Sequence, residues 1–238
     1  MKLDILAIGA HPDDIELSCG GTILSHISQG LKVGILDLTR GELGTRGSAE
    51  SRAAEANAAA EILGVSVREN AGFDDGFFVN DKAHQLEIIK YVRKYQPDII
   101  LTNAIHDRHP DHARAAQLTE DAVFLSGLSK VETKLSGAIQ KPFRPRSVYH
   151  YIQSLDVTPD LAVDISPYFE KKIEAIRAYK TQFHDPDSKE PETFISSPDF
   201  LEFIRARAVH FGVPMGVSYA EGYTMKRHMG VYNLKDIF

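Results

Sequence analysis

Leu3-Asp4-Ile5-Leu6-Ala7-Ile8-Gly9-Ala10-His11-Pro12-Asp13-Asp14 runs an apolar segment straight into a histidine and two carboxylates, and a helical pattern begins near Glu16. An almost unbroken apolar run of this length reads as a strand buried on both faces, the kind found in parallel sheets covered by helices. Ligands of such sheets bind outside the carboxyl ends of the strands. His11, Asp13 and Asp14 fall at that place.

Working outward, Leu3 to Ala10 is the first strand, Glu16 to Gln29 a helix closed by Gly30, and Lys32 to Thr39 a second apolar strand. The Ala- and Glu-rich segment Ser51 to Leu63 is a helix stopped at Gly64, and Ser66 to Glu69 a short strand. Gln85 to Tyr95 is helical until Pro97 ends it, Asp98 to Leu101 is a buried strand, and Ala113 to Leu125 is the next helix. This alternation predicts an α/β fold, Rossmann-like, with a mainly parallel sheet between two layers of helices. From Lys130 the pattern loosens: Lys141 to Pro145 is a loop, Ser147 to Ile152 a strand, and Pro167 to Thr181 a helix. Phe183 to Pro198, polar and carrying three prolines, reads as a long loop over the site, followed by a helix from Asp199 to Phe211. No linker and no repeat divides residues 1–238, so one domain is expected.

Composition bounds the function. Hydrophobic residues at 43% and charged residues at 25% are ordinary for a globular protein, and a net charge of −6 without a basic block argues against nucleic acid. The one cysteine, Cys19, excludes an intramolecular disulfide framework and suits a reducing compartment. No apolar run is long enough to span a membrane, and no signal-peptide pattern opens the chain. A cytoplasmic location is therefore the expectation.

A second cluster, His106-Asp107-Arg108-His109-Pro110-Asp111-His112, follows the strand Asp98 to Leu101. A dinucleotide site would need small residues in the first strand–helix turn, and this chain has His-Pro-Asp-Asp there; Gly20 and Gly21 come too late. Imidazole and carboxylate together suit zinc, whose catalytic sites characteristically use three protein ligands and leave one position open. His11, Asp14 and His112 could form that set, although the same ligand types admit iron or manganese. Asp13 could take the proton of a metal-held water. His109, partnered by Asp111, could stabilise an oxyanion. This constellation describes metal-assisted hydrolysis of an amide or of a phosphoester, the latter calling for two ions.

The pairing of Ala10-His11-Pro12-Asp13-Asp14 with His109-Pro110-Asp111-His112 resembles the LmbE/PIG-L zinc-dependent N-deacetylases. Asp37-Leu38-Thr39, Ser51-Arg52, Asp107-Arg108, Tyr179-Lys180-Thr181-Gln182-Phe183 and Tyr219-Ala220-Glu221-Gly222-Tyr223 make it most similar to the bacillithiol-biosynthesis deacetylases. The resemblance implies one zinc per chain and removal of acetate from an N-acetylglucosamine conjugate such as N-acetylglucosaminyl malate. It implies His11, Asp14 and His112 as metal ligands, Asp13 as general base, and His109 as electrostatic stabiliser oriented by Asp111. Arg52 would hold the substrate, and the chain would form homo-oligomers, hexamers among them. Where relatives carry an oxyanion-contacting tyrosine, this chain has Phe200, which cannot donate a hydrogen bond. Deacetylation of another N-acetyl amino sugar and phosphoester hydrolysis are the competing activities.

Plainer readings compete with each residue. Asp13 or Asp14 alone could simply cap the following helix, and Arg52 could pair with Glu50 or Glu55 on a solvated face. Cys19 reads as a small buried residue, and His26, His84, His184, His210 and His228 as surface or packing residues. Glu221 would pass for an ordinary strand or loop residue.

Overall fold

A computed structural model of the chain describes residues 1–184, 186, 188–233 and 235. In chain order the elements are β1 (Ile5–Gly9), α1 (Asp14–Ser28), β2 (Val33–Thr39), α2 (Ala49–Leu63), β3 (Val67–Phe73), α3 (Lys82–Tyr95), β4 (Ile99–Thr102) and α4 (Pro110–Ser126). A two-stranded hairpin follows, β5 (Lys134–Leu135) with β6 (Ala138–Ile139), then β7 (Ser147–Tyr151), β8 (Leu161–Asp164), α5 (Phe169–Arg177), α6 (Phe200–Gly212) and β9 (Ala220–Thr224).

Seven strands make one sheet in the order β3-β2-β1-β4-β7-β9-β8. The first five run parallel, and β9 pairs antiparallel with both β7 and β8. Side chains alternate across β1, as a strand buried on both faces requires. Leu6 and Ile8 pack with Ile88 and Val92 of α3 and Leu118 and Ala122 of α4. Ile5 and Ala7 pack with Ile15, Cys19 and Ile23 of α1 and Ala175 of α5. The result is the expected three-layer α/β/α arrangement, and no helix among the described residues is long and apolar enough to cross a membrane.

Several boundaries differ from the sequence reading for local reasons. α4 begins at Pro110 rather than Ala113 because His109 serves as its N-cap and Pro110 takes the first helical position. α2 begins early on a reciprocal cap between Ser48 and Ser51, and α3 on the Asp81 side chain. The helix expected to reach Thr181 ends at Arg177. Thr181 instead gives its N–H and hydroxyl to Glu55 at 2.7 and 2.8 Å. The sequence reading left the segment around Glu221 as strand or loop and gave no strand at Leu161–Asp164, so the antiparallel edge of β8 and β9 was not read; Glu221 and Gly222 interrupt the apolar pattern. Gly222 packs closely there, since a Cβ would stand 3.0 Å from the Phe211 ring and press it aside.

Candidate active site

The strand order reverses between β1 and β4, the neighbours from which the sheet grows in opposite directions. The His11 to Asp14 turn leaves one of these strands and the Asn103 to His112 segment leaves the other. Asp14 opens α1, while His109 caps α4 and His112 lies in its first turn. His112 Nε2 stands 3.0 Å from Asp14 Oδ1, and His11 Nδ1 stands 3.7 Å from Asp14 Oδ2.

The outward-facing atoms of this trio are fixed from behind. His11 Nε2 meets Asp75 Oδ1 at 3.0 Å and Asp111 Oδ2 at 3.2 Å, leaving Nδ1 toward Asp14. His112 Nδ1 meets Asp107 Oδ1 at 2.8 Å, leaving Nε2 toward Asp14. Asp14 accepts from the His11 N–H at 3.0 Å, Asn103 Nδ2 at 2.9 Å and Gln153 Nε2 at 3.0 Å. Donor atoms about 2.0–2.2 Å from a tetrahedral ion stand about 3.3–3.5 Å apart. The 3.0 and 3.7 Å separations, one to each Asp14 oxygen, are of that order, and histidine ligands backed by carboxylates are the usual outer arrangement of such sites. The residues therefore fit a metal ion. Two overlapping groups of donor atoms of the kind that hold ions also occur here, His11 with His109 and His112, and His11 with Asp75 and Asp111.

Electrostatics agree with the geometry. Burial works against the imidazolium of His11, but hydrogen bonds to Asp111, Asp14 and Asp75 raise its pKa well above the ordinary value. Burial is likewise outweighed at His112, where the Asp14 charge and the bonds to Asp107 and Asp14 raise the pKa to about 9. Asp107, buried but bonded to His112, is lowered to about 2. Without an ion the anionic pocket holds protons where a cation would stand.

Asp13 behaves differently from its neighbour. It occupies the N-cap position of α1 at φ 115° without capping the helix through its side chain, a backbone conformation that costs energy for a residue with a Cβ. Burial pushes its carboxyl up to about 7, against the pull of Arg52 at 3.4 Å. A cap was the plainer reading of this residue, and the structure supplies none.

His109 accepts the Asp111 N–H on Nδ1 at 3.2 Å, which assigns the proton of the neutral ring to Nε2. Here the expected pairing needs correction: the Asp111 carboxylate serves His11, the Gly76 N–H at 2.9 Å and Arg114, and only its backbone orients His109. Arg52 is buried rather than solvated. Its Nη1 bonds the Pro12 carbonyl at 2.9 Å and Asp13, holding the turn that carries Asp13 and Asp14, while its Nη2 bonds Gln182. A cavity of about 330 Å³ opens over these groups, walled by Phe200, Phe203 and Ile195, with Arg108 at its rim. Phe200 packs against Phe183 and contributes only an apolar wall. Glu221 lies outside this cavity lining, paired with Lys172 at 2.6 Å.

Asp75, Asn103 and Gln153 were not singled out from sequence, and Asp107 was named there only as a member of the second cluster, without a role. A usable signal existed for three of them: Asp75, Asn103 and Gln153 stand one or two residues beyond the ends of β3, β4 and β7, obeying the same strand-end rule as His11.

The profile of the family described as PIG-L, GlcNAc-PI de-N-acetylase, matches residues 6–123. Diacetylchitobiose deacetylase of Thermococcus kodakarensis is 31% identical over 230 residues, covering 92% of this chain and 81% of the relative. The chain belongs to the PIG-L/LmbE family. A conserved protein of Thermus thermophilus superposes with a TM-score of 0.86 at 34% identity, over 97% of this chain and 98% of that one. The family fold also serves other chemistry, since 4-oxalmesaconate hydratase of Pseudomonas putida is 29% identical over 75% of this chain and 74% of its own length. As a PIG-L/LmbE deacetylase this chain is a hydrolase of amide C–N bonds, with a His/Asp cluster suited to a metal.

Proposed function

We propose that the chain removes the acetyl group from an N-acetylglucosamine conjugate with one zinc ion held by His11, Asp14 and His112. The conjugate carries a carboxylate, as N-acetylglucosaminyl malate does, which assigns the enzyme to bacillithiol biosynthesis. The observation that carries the reading is Asp13, a buried carboxyl whose side chain does not cap α1 and which lines the cavity beside the ligand trio, 3.4 Å from Arg52. That is the position of a general base beside a metal-held water.

A zinc ion would supply a water that ionises near neutral pH and would polarise the acetyl carbonyl. Asp13 takes the proton of the attacking water and returns it to the amide nitrogen as the C–N bond breaks, giving acetate and a free amine. His109, with its proton on Nε2, stands to donate to the oxygen on which negative charge develops. Arg52 keeps Asp13 and the Pro12 carbonyl in place. The phenyl walls Phe200 and Phe203 keep the sugar side of the cavity dry. Arg108, stacked 4.8 Å above the Phe194 ring at the cavity rim, presents an exposed guanidinium to the part of the substrate beyond the sugar. A fork of donors there suits a carboxylate.

The test is release of acetate and amine from N-acetylglucosaminyl malate, plain N-acetylglucosamine and diacetylchitobiose, after chelation and after resupply of zinc, iron or manganese. Zinc-restored turnover preferring the malate conjugate, with the preference abolished in Arg108→Gln, is the expected result. Equal turnover of all three removes the malate assignment. Inactivity on all three, with water addition to 4-oxalmesaconate, would replace deacetylation by the hydratase chemistry of the Pseudomonas relative. Two ions per chain with phosphoester turnover would favour the phosphoesterase.

A further inference from the structure

Helix α1 carries Gly20 and Gly21 in its middle, where each glycine costs about 1 kcal/mol relative to alanine. Gly21 is demanded by packing, since a Cβ there would come within 2.7 Å of the Ile165 side chain. The same point of the helix is entered by charged side chains. Leu17 and Gly21 are the i, i+4 partners of an ordinary helical bond. The Leu17 carbonyl of the unbroken helix accepts from Arg207 Nη2 at 2.8 Å, and the Gly21 and Thr22 N–H groups donate to Glu221 Oε1 and Oε2 at 3.0 and 2.7 Å. Lys172 Nζ balances Glu221 at 2.6 Å, with Glu221 3% and Lys172 1% exposed. Buried charges persist only when paired and hydrogen-bonded, as Glu221 and Lys172 are, while Arg207 is held by two backbone carbonyls. A carboxylate and a guanidinium thus engage the backbone groups of α1 immediately after the turn that carries Asp13 and Asp14.

The second arm of Arg207 reaches the metal site from the other side. Its Nη1 donates to the Gln153 carbonyl. The Gln153 side chain donates to Asp14 Oδ1 and accepts from Asn103 Nδ2 at 3.0 Å, and Asn103 itself donates to Asp14 Oδ2. One guanidinium therefore ties the helical turn bearing Asp14 to the loop whose amide holds the Asp14 carboxylate.

We propose that Arg207 is a positioning residue for the metal site, setting the orientation of Asp14 through Leu17 and Gln153, with Glu221 and Lys172 holding the α1 turn on which it acts. This rests on the reading of Asp14 as a metal ligand. It also gives a role to Glu221 and Gly21, which the catalytic chemistry leaves unused.

The test is zinc affinity of the chelated full-length protein, measured by competition with a metallochromic chelator, alongside thermal unfolding. Arg207→Met is expected to weaken zinc binding about 10–100-fold, the usual effect of losing an outer partner. Arg207→Lys, a point charge without the fork, should fall between. Unchanged affinity with a lowered Tm would make Arg207 merely structural and overturn the proposal. Should Arg207→Met not fold, Arg207→Gln, which keeps a polar group but cannot span Leu17 and Gln153, carries the same readout, with wild-type affinity again overturning it. Asp14→Asn is the control. If Asp14→Asn keeps wild-type zinc affinity, the ligand reading itself fails. If it loses zinc while the Arg207 variants keep it, only the positioning role fails.

Discussion

His112 Nε2 lies 3.0 Å from Asp14 Oδ1, joining the first turn of α4 to the first turn of α1 across the β1–β4 junction. In the metal-free protein this contact is an ion pair, because the pKa of His112 is raised to about 9 and that of Asp14 lies well below the carboxylate range. A metal ligand must be a neutral imidazole, so an ion has to displace the protons of His112 and His11, whose pKa is raised as well. Zinc uptake at pH 7 is expected to release about two protons per chain, and affinity to strengthen as pH rises toward about 9. Calorimetry in two buffers of different ionisation heat measures the number. Release of no protons would remove the histidines from the ligand set.

Asp13→Asn keeps the shape of the side chain and tolerates the positive φ of this position. It is expected to retain zinc and fold while kcat falls about 10²–10⁴-fold, the usual contribution of a general base. Metal content by mass spectrometry and the unfolding midpoint check the first part, and steady-state kinetics the second. Wild-type kcat would move the base elsewhere.

How far these residues could be read before the fold was known follows from what each one does. His11, Asp13, Asp14, His109 and His112 sit in contiguous runs at strand ends, where a one-dimensional pattern and the three-dimensional site coincide. The α/β alternation was legible for the same reason, through apolar strands buried on both faces. Arg52 was legible as a member of the site but not in its contacts, because the carbonyl it binds and Gln182 come from distant segments. Asp111 was assigned to its sequence neighbour His109, yet its side chain turns to His11 across the sheet. The β8–β9 edge was left undecided between strand and loop because Glu221 turns its carboxylate to α1 and breaks the apolar pattern that marks the other strands.

Arg52 offers a way to separate holding the substrate from holding the catalytic turn. Its guanidinium bonds the Pro12 carbonyl, Asp13 and Gln182. Arg52→Met is therefore expected to lower kcat by about tenfold or more, with a smaller change in KM, since misplacing a catalytic group by an ångström is costly. An unchanged kcat with a raised KM would return Arg52 to direct substrate binding.

Beneath the site, Arg68 bonds Asp37 through Nε and Nη2 at 2.7 and 2.9 Å and Glu16 through Nη1 at 2.5 Å, all three side chains at most 5% exposed. Removing one partner of a buried pair leaves an uncompensated charge, at about 3–5 kcal/mol. Arg68→Met should lower stability by that order in urea unfolding. The triple change with Asp37→Asn and Glu16→Gln should recover much of the loss, and a mild effect of Arg68→Met alone would show that the carboxylates find other partners.

Further along α4, Glu120 provides a pH-dependent contribution whose sign can be fixed. Burial favours its protonated form, but the hydrogen bond and charge of His150 together with Lys226 at 3.3 Å outweigh it, so its folded pKa lies below the ordinary 4.5. A carboxyl with a depressed folded pKa contributes stability above its unfolded value and loses it as pH falls through the folded one. The stability difference between wild type and Glu120→Gln should therefore be constant from about pH 7 to about 5 and shrink below about pH 4. Urea unfolding across that range measures it, and a difference that grew on acidification would reverse the assigned sign and with it the reading of the Glu120–His150–Lys226 cluster.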